Sequence, residues 1–216
     1  NNGYTPSVDL REVSNYLSKY NIKLGVTINP KFDIKEGSND YNLISNYINT
    51  KNFNFIPFSN DKIGLYFNLF INNLENMGVD LFSIDYNNPL DRINLWKINH
   101  YHYGKRVINN RRGLVLSRNS GIAPHRYPII WSGKTLVNWT TLNLLPRYNL
   151  QGYNIGVSYI AHPIGGYKNG IEEDELYLRY MQFACFSPIF LLASEGGKYY
   201  KREPWKWNPS IESNIK

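Results

Sequence analysis

The chain has 216 residues, 42% of them hydrophobic and 19% charged, a composition typical of one folded domain and not of a disordered segment. Its 24 lysines and arginines exceed its 17 acidic residues and give a net charge of +7, but this charge is spread along the chain, which does not favour nucleic-acid binding.

No run of about 18 apolar residues is present, which argues against a membrane span. The single cysteine, Cys185, cannot form an internal disulfide, so we expect a reducing, cytoplasmic compartment and place Cys185 in the core.

In chain order, the sequence first predicts an amphipathic helix over residues 9–20, with Asp9 as its N-cap. A buried strand over residues 24–30 ends at a proline, and the polar residues 31–60 are predicted to form a long insertion. A second helix begins at Asp61 and continues to the glycine that precedes the next strand.

The remaining residues continue the alternation of strands and helices. The apolar run from Leu81 to Ile84 predicts a buried parallel strand that ends at Asp85. The other predicted helices cover residues 90–106, 138–149 and 173–186, and the other predicted strands cover residues 114–118, 127–134, 154–166 and 188–192.

Strands that alternate with helices at this spacing predict βα units and a parallel sheet. No glycine-rich phosphate-binding fingerprint is present, which argues against the usual dinucleotide- and nucleotide-binding folds. Polar, potentially functional residues recur at strand C-termini, as in a barrel, although six strands are fewer than the roughly eight that a closed (β/α)8 barrel needs. The sequence therefore predicts one α/β domain over residues 1–216, an incomplete (β/α)8 barrel of TIM-barrel type.

Asp85 is notable because it ends a buried strand, next to Tyr86 and two asparagines. A carboxylate in such a place costs free energy unless it is hydrogen-bonded or used in chemistry. It can cap a turn, which is the commoner role of such an aspartate, or it can be a catalytic carboxylate at the mouth of a barrel. Taken alone, the local pattern leaves both roles open.

Seven short motifs carry a family resemblance that covers about residues 9–208. The motifs are, in order, Ser83–Asn88, Leu116–Asn119, His125–Tyr127, Trp131–Gly133, Ile164–Tyr167, Phe186–Phe190 and Arg202–Trp205. Their order and spacing resemble those of glycoside hydrolase family 31, the α-glucosidase and α-xylosidase family. The resemblance implies a (β/α)8 barrel, whose first strands have no counterpart in this sequence, and retaining hydrolysis of the glycosyl bonds of α-glycosides.

The resemblance also implies roles for individual residues. Retaining glycosidases use two carboxylates about 5–5.5 Å apart, one as nucleophile and one as acid/base. Asp85 matches the nucleophile, and Arg118 and Arg126 match arginines that line the pocket, where a guanidinium can bind sugar hydroxyls; structural ion pairing is their alternative role. Trp131 and Tyr86 offer aromatic faces to a sugar. We expect no metal and no cofactor, and a glycoside or oligosaccharide as the partner.

Three positions depart from the family pattern, and one of them is Ser83, which replaces the common tryptophan before the nucleophile. Lys134 occupies the position of the usual acid/base aspartate, and a lysine ordinarily stays protonated up to about pH 10, which makes it a poor proton donor. Pro163 occupies the position of a substrate-binding aspartate and is preceded by His162. Because histidine titrates near neutrality, His162 is the preferred candidate for a substitute proton donor. The acidic residues 172–174 are weaker candidates, since acidic residues are favoured at a helix start.

Two explanations fit these departures: a divergent enzyme in which another group supplies the proton, or a truncated or decayed glycosidase. We expect impaired hydrolysis in either case. The alternative function is a non-catalytic carbohydrate-binding remnant, in which aromatic residues such as Trp131, Tyr159 and Trp205 stack on sugars.

Two further readings have less support. Nucleic-acid binding through the basic segment 198–206 predicts a steep salt dependence, but packing of the Arg202–Trp205 motif explains that segment more simply. A metal site at His100 and His102 is disfavoured, because two residues that are two positions apart lie on different faces of a helix.

Overall fold

The computed structural model describes residues 6, 8–28, 39–48, 67–85, 92–117, 123–126, 129–170, 172–196 and 201–215. The chain divides into two compact units, unit 1 with Asn1–Ala123 and unit 2 with Pro124–Lys216. Among the described residues, each unit contains a set of three adjacent parallel strands and several helices.

Unit 1 begins with a capped helix, as the sequence predicts. Asp9 accepts hydrogen bonds from the backbone N–H groups of Arg11 and Glu12, at 2.9 and 3.4 Å. The elements of unit 1 are α1 (Leu10–Ser18), β1 (Leu24–Ile28), α2 (Asn39–Ile48), a π-helical turn (Phe67–Ile71), α3 (Asn72–Asn76), β2 (Val79–Ile84), α4 (Arg92–Ile108) and β3 (Val115–Ser117).

The three strands of unit 1 run parallel, with β2 between β1 and β3. In this register Phe82 pairs with Val26 on one side and with Val115 on the other. Because successive side chains of a strand point to opposite faces, Phe82 and Ile84 share one face, on which they are 0% and 1% exposed. The alternate residues of β2 belong to the opposite face, and several of them stay partly exposed.

The core of unit 1 lies on the face of the sheet that carries Phe82. Burying one large aliphatic side chain there contributes about 1.5–3 kcal/mol. The helices supply several such side chains, including Ile44, Ile71, Leu74 and Ile98.

The predicted polar insertion over residues 31–60 contains helix α2. Tyr41 and Ile44 are three positions apart, share one face of α2 and are both buried in the core of unit 1. Part of the insertion is therefore structural, because two apolar residues at helical spacing are enough to anchor an otherwise polar helix. The predicted cap Asp61 lies outside the described residues.

Unit 2 is built around a second set of parallel strands, in which β6 lies between β4 and β8. A separate two-stranded parallel ladder joins β5 and β7. The elements of unit 2 are a 3-10 turn (Pro124–Arg126), β4 (Ile129–Trp131), β5 (Leu136–Val137), α5 (Trp139–Asn154), β6 (Ile160–Pro163), β7 (Lys168–Gly170), α6 (Asp174–Cys185), β8 (Ile189–Leu191), a second 3-10 turn (Pro204–Lys206) and α7 (Pro209–Ile215).

Two predictions for unit 2 were wrong in detail. The strand predicted over residues 154–166 is confined to β6, because α5 continues to Asn154 and a turn follows it. Cys185 is exposed and not part of the core, since it lies at the C-terminal end of α6, away from the buried face that carries Tyr180 and Met181.

Parallel strands that alternate with helices confirm the predicted α/β class. The described residues include six parallel strands of this type, three in each unit, which is an incomplete set for a (β/α)8 barrel. Within the described ranges, no helix has the length and apolar character needed to cross a membrane.

Candidate active site

Asp85 directly follows β2 and continues its pairing with β1. Its backbone N–H donates a hydrogen bond of 2.9 Å to the carbonyl oxygen of Ile28, which fixes the main chain at this position. The side chain is partly exposed. By alternation along β2, Asp85 belongs to the face opposite Phe82 and Ile84, which are buried in the core of unit 1. The structure thus places a carboxylate at the C-terminal end of a central parallel strand.

Lys134 lies in the loop that follows β4 in unit 2. The loop is held by a hydrogen bond from the N–H of Ser132 to the carbonyl of Ala161 (3.0 Å) and by one from Thr135 to Gly133 (3.0 Å). Lys134 is exposed, and its Nζ lies 5.5 Å from the ring centroid of Tyr167, a cation–π distance. The structure therefore places an ammonium group at the position where the resemblance implies an acid/base carboxylate.

Trp131, the last residue of β4, lies in the same group of side chains. Its ring centroid is 5.7 Å from that of Tyr167, with the ring planes tilted by 60°. Trp131, Lys134 and Tyr167 therefore form a small cluster beyond the C-terminal ends of β4 and β6, which we call the aromatic–lysine cluster. The sequence predicts two of its members as site residues and misses Tyr167, although that residue ends the Ile164–Tyr167 motif.

A turn with two left-handed glycines leads to Tyr167. Gly165 and Gly166 have φ angles of +88° and +78°, which favour glycine. A Cβ on Gly166 would lie 2.8 Å from the carbonyl oxygen of Leu136, so no other residue fits there without a shift of the backbone. The N–H of Tyr167 then donates to the carbonyl of Thr135, at 2.8 Å. The turn thus ties the end of β6 to the loop that carries Lys134.

Arg202 holds this turn from the other side. Its Nε donates to the carbonyl of Gly166 at 3.0 Å and its Nη1 to the carbonyl of Lys201 at 2.6 Å, and the side chain is buried. The hydroxyl of Tyr177 donates to the carbonyl of Arg202 at 2.6 Å. Burial raises the pKa of Tyr177 to about 12, so this phenol stays protonated and remains a donor at neutral pH. The Arg202–Trp205 motif, for which the sequence predicts structural packing, thus positions the Gly-Gly turn through Arg202.

His162 lies in β6 but is fully buried in the core. Its Nε2 is 2.8 Å from Oδ1 of Asn149 in α5, and its ring contacts Tyr148 and Phe183 at centroid distances of 5.4 and 5.8 Å. Burial lowers the pKa of His162 to about 4, because the charged imidazolium loses its hydration. The ring is therefore neutral at pH 7 and sits between a strand and two helices, a placement that favours a structural role over contact with a sugar.

The other predicted pocket residues are distributed as follows. Arg126 ends the 3-10 turn at the start of unit 2 and is exposed. Arg118 and Tyr86 lie outside the described residues. The predicted contribution of these three residues to a sugar pocket stays a prediction.

The acidic residues 172–174 form the start of α6, as the sequence predicts. Glu173 accepts a hydrogen bond from the indole N–H of Trp139 at 3.0 Å, and Glu172 accepts one from the backbone N–H of Lys201 at 3.2 Å. Asp174 is hydrogen-bonded to Asn208. These carboxylates serve the contacts of α6 with its neighbours.

The two histidines of α4 have different surroundings. His100 is exposed and stacks on Trp96, whereas His102 is fully buried against Phe82. Burial, followed by the nearby charge of Arg106, lowers the pKa of His102 to about 3. Among the residues that the structure describes, no group of three or more histidine, cysteine, aspartate or glutamate side chains is placed to hold a metal ion.

Comparison with known proteins identifies the family. The sequence matches the model of the glycosyl hydrolases family 31 TIM-barrel domain over residues 4–216. The chain belongs to glycoside hydrolase family 31. The resemblance drawn from the seven motifs is thereby confirmed.

One curated relative and two solved structures agree with this assignment. Alpha-glucosidase 2 of Bacillus thermoamyloliquefaciens is 29% identical over 52% of this chain and 14% of its own length. The cycloalternan-degrading enzyme from Trueperella pyogenes matches with a TM-score of 0.79 at 14% identity, over 98% of this chain and 38% of that one. The cycloalternan-forming enzyme from Listeria monocytogenes, in complex with a pentasaccharide substrate, matches with a TM-score of 0.76 at 16% identity, over 96% and 24%.

These likenesses establish the fold and its extent. The family 31 chain has an incomplete (β/α)8 barrel, as predicted. The part of it that matches the curated α-glucosidase covers about a seventh of that enzyme's length. Asp85, Trp131, Lys134 and Tyr167 all lie at or just beyond the C-terminal ends of parallel strands, the end at which barrel enzymes carry their chemistry.

Proposed function

We propose that this chain is a single, partial catalytic barrel domain, residues 1–216, of a retaining α-glycoside hydrolase that resembles the α-glucosidases. Its substrate is a glycoside or oligosaccharide of carbohydrate metabolism, and the reaction needs no cofactor. The observation that supports this most is the position of Asp85 at the end of β2, in the Ser83–Asn88 motif of a family 31 chain.

In this proposal Asp85 is the nucleophile. An oxygen of its carboxylate attacks the anomeric carbon, the glycosidic C–O bond breaks, and a covalent glycosyl-enzyme forms. Water then releases the sugar with the same anomeric configuration as the substrate. Trp131, Tyr86, Arg118 and Arg126 bind the sugar, the first two through their ring faces and the last two through hydrogen bonds.

Lys134 limits the reaction in this proposal. An alkoxide leaving group needs a proton as the bond breaks, and position 134 offers an exposed lysine in place of a carboxyl group. Hydrolysis is therefore impaired at this position for ordinary glycosides, and much less impaired for substrates whose leaving group is already a stable anion.

An aryl glycoside assay tests this function. Purified chain is incubated with the 4-nitrophenyl α-glucoside, α-xyloside and α-galactoside, in parallel with Asp85→Ala and with Asp80→Ala as the matched control in the same strand. We expect release of nitrophenol from at least one glycoside by the parent chain and by Asp80→Ala, and a loss of about 1,000-fold or more in Asp85→Ala. Nitrophenol release that survives in Asp85→Ala, or no release from a chain shown to be folded by circular dichroism, would contradict the proposal.

The alternative function is a non-catalytic carbohydrate-binding remnant. It is favoured by large aromatic side chains at the surface of unit 2, since Tyr159 and Trp205 are 54% and 69% exposed and exposed aromatic faces stack on sugars. Such a protein would bind maltooligosaccharides equally well with and without the Asp85→Ala substitution and would release no nitrophenol from any glycoside.

We also propose a cytoplasmic location. Support comes from the single cysteine, Cys185, which leaves the chain without an internal disulfide. A blot of fractionated cells with an antibody against the chain would test this, and recovery in the secreted fraction would contradict it.

A further inference from the structure

Unit 1 contains a polar pocket of about 390 Å³, a volume within the range of small-molecule sites. It is formed by one face of α3, by the last turn of α4 and by the residues after α4. The residues that line it are Asn72, Glu75, Asn76, Lys105, Asn109 and Arg111. Since α3 and α4 lead into the N-terminal ends of β2 and β3, the pocket lies at the end of β2 opposite to Asp85, about 20 Å away along a strand of this length.

Glu75 forms a fixed part of the pocket wall. Its side chain is 9% exposed, and its Oε1 accepts a hydrogen bond of 3.1 Å from Nη1 of Arg106, which is also buried. The other carboxylate oxygen, Oε2, lies 3.9 Å from Nη1 of Arg111, a distance longer than a hydrogen bond. Oε2 therefore keeps the capacity to accept a hydrogen bond from a ligand.

The turn after α4 fixes the part of the wall that carries Asn109 and Arg111. The N–H of Arg111 donates to the carbonyl of Arg106 at 2.8 Å, and that of Asn110 donates to the carbonyl of Val107 at 3.0 Å. Asn110 has a φ angle of +55°, so these two bonds form a Schellman motif. Because this main chain is held in place by the helix end, the pocket is formed before a ligand arrives.

Three lining side chains are available to a ligand. Lys105, Asn76 and Asn109 form no side-chain hydrogen bond or ion pair with any residue in the described part of the chain. Lys105 is half-buried, and the two asparagines are exposed. An ammonium group only donates hydrogen bonds, whereas an amide donates through its nitrogen and accepts through its oxygen. The pocket therefore offers both donors and acceptors on one concave surface.

This mixture of groups selects the class of ligand. An anion would meet the carboxylate of Glu75 and the carbonyl end of α4, where negative charge is disfavoured. A cation would meet the charges of Lys105 and Arg111. An apolar ligand would gain little, because all six lining residues are polar or charged. A neutral ligand with several hydroxyl groups matches the whole set, because each hydroxyl both donates and accepts.

We propose that this pocket binds a neutral sugar ring and is a second carbohydrate site, separate from Asp85. Glu75, Asn76 and Asn109 accept hydrogen bonds from the sugar hydroxyls through their side-chain oxygens. Lys105 and Arg111 donate hydrogen bonds to the hydroxyl oxygens. No aromatic ring is present among the six lining residues to stack on the sugar, so we expect weak binding, with a Kd on the order of millimolar.

The experiment titrates the folded, ¹⁵N-labelled chain with D-glucose and follows the backbone N–H signals by NMR. We expect saturable shifts at Asn76, Asn109 and Arg111. Asn76→Ala and Asn109→Ala should each weaken this binding by about 3- to 10-fold, the effect of losing one or two hydrogen bonds. Asn73→Ala is the matched control, because Asn73 is exposed on the same helix and is not one of the six lining residues, and it should bind like the parent chain.

Two further titrations test the class of ligand. Inorganic phosphate serves as an anion and glycine as a zwitterion, and tighter binding of either at the same signals would overturn the assignment to a sugar. Glucose shifts confined to signals outside the pocket, or equal affinities in Asn76→Ala, Asn109→Ala and Asn73→Ala, would overturn the site itself. The titration of the parent chain decides alone if a variant fails to fold. Because glucose carries no glycosidic bond to hydrolyse, the result is independent of whether Asp85 acts as a nucleophile.

Discussion

Arg202 holds the turn formed by Gly165 and Gly166 in place with a single buried side chain. It is buried, and its guanidinium donates to the carbonyls of Gly166 and Lys201. A Cβ on Gly165 would lie 3.0 Å from Nε of Arg202, so the guanidinium packs directly on the glycine that begins the turn. Tyr167 follows this turn. Its ring contacts Trp131 within the aromatic–lysine cluster, and its carbonyl accepts a hydrogen bond from the backbone N–H of Glu195.

Replacing Arg202 should therefore destabilise unit 2 and disturb Tyr167. We expect Arg202→Gln to lower the free energy of unfolding by about 2–3 kcal/mol, because hydrogen bonds from a charged donor are lost and a buried carbonyl is left without its partner. Arg202→Lys keeps the charge with fewer donors and should lose less. Urea titration followed by circular dichroism measures both, and Lys201→Gln is the exposed control. Arg202→Gln unfolding at the same urea concentration as the control would show that the turn does not depend on the guanidinium.

At the same scale, the sequence singles out some residues of the candidate site and does not group others, for a physical reason. Asp85 stands out because a carboxylate at the end of an apolar strand is unusual, whereas its role as nucleophile follows from the family resemblance and stays a prediction. Tyr167, Glu195 and Arg202 cannot be grouped from the sequence, because the bonds that join them span 28 or more positions. The backbone N–H of Glu195 donates to the carbonyl of Tyr167, and the side chain of Arg202 donates to the carbonyl of Gly166, the residue before Tyr167. His162 is predicted as a proton donor because it precedes Pro163, which occupies the position of a substrate-binding aspartate. In the structure its ring instead packs between β6 and the helices α5 and α6.

At the scale of elements, His162 links β6 to the helices that cover it. The ring packs against Tyr148 of α5 and Phe183 of α6, and its Nε2 lies 2.8 Å from Asn149. Its environment favours the neutral ring, since burial lowers the pKa of His162 to about 4. The packing of these elements therefore depends on pH.

Acidification should weaken this packing within a definite pH range. The unfolded chain protonates His162 near its ordinary pKa of about 6.5 and the folded chain only near 4, so the unfolded state binds more protons between these values and stability falls as the pH drops from about 6.5 to about 4. The loss due to His162 is on the order of 3 kcal/mol. We expect a smaller fall in the urea midpoint between pH 7 and pH 4.5 for His162→Gln than for the parent chain, with the exposed His125→Gln as control. Identical falls in His162→Gln and the control would contradict this account.

Element prediction from the sequence succeeds where periodicity is long and fails where it is short. Helices α1 and α6 are predicted because each carries apolar residues at helical spacing over several turns. The ladder of β5 and β7 was not, because strands of two or three residues show no alternation and owe their pairing to the glycines that let the chains approach. Helix α2 was missed within a polar stretch, since only Tyr41 and Ile44 mark its buried face.

At the scale of the whole molecule, the chain belongs to a family and departs from that family's sequence pattern. The chain matches the family 31 TIM-barrel domain over residues 4–216. It has an aspartate where the resemblance implies the nucleophile and a lysine where it implies the acid/base residue. A retaining reaction with Asp85 as nucleophile requires a covalent intermediate. No binding protein of the same fold would form one, which makes this intermediate the property that separates the proposed function from its alternative.

The most direct test is to trap that intermediate. Purified chain is incubated with 5-fluoro-α-D-glucosyl fluoride, in which fluoride leaves without a proton and the ring fluorine slows the release of the sugar. Intact-mass analysis and peptide mapping should show one fluoroglucosyl group on the peptide that contains Asp85, present in Asp80→Ala and absent in Asp85→Ala. A folded chain that stays unmodified, or a modification on another residue, would contradict the assignment of Asp85 as the nucleophile.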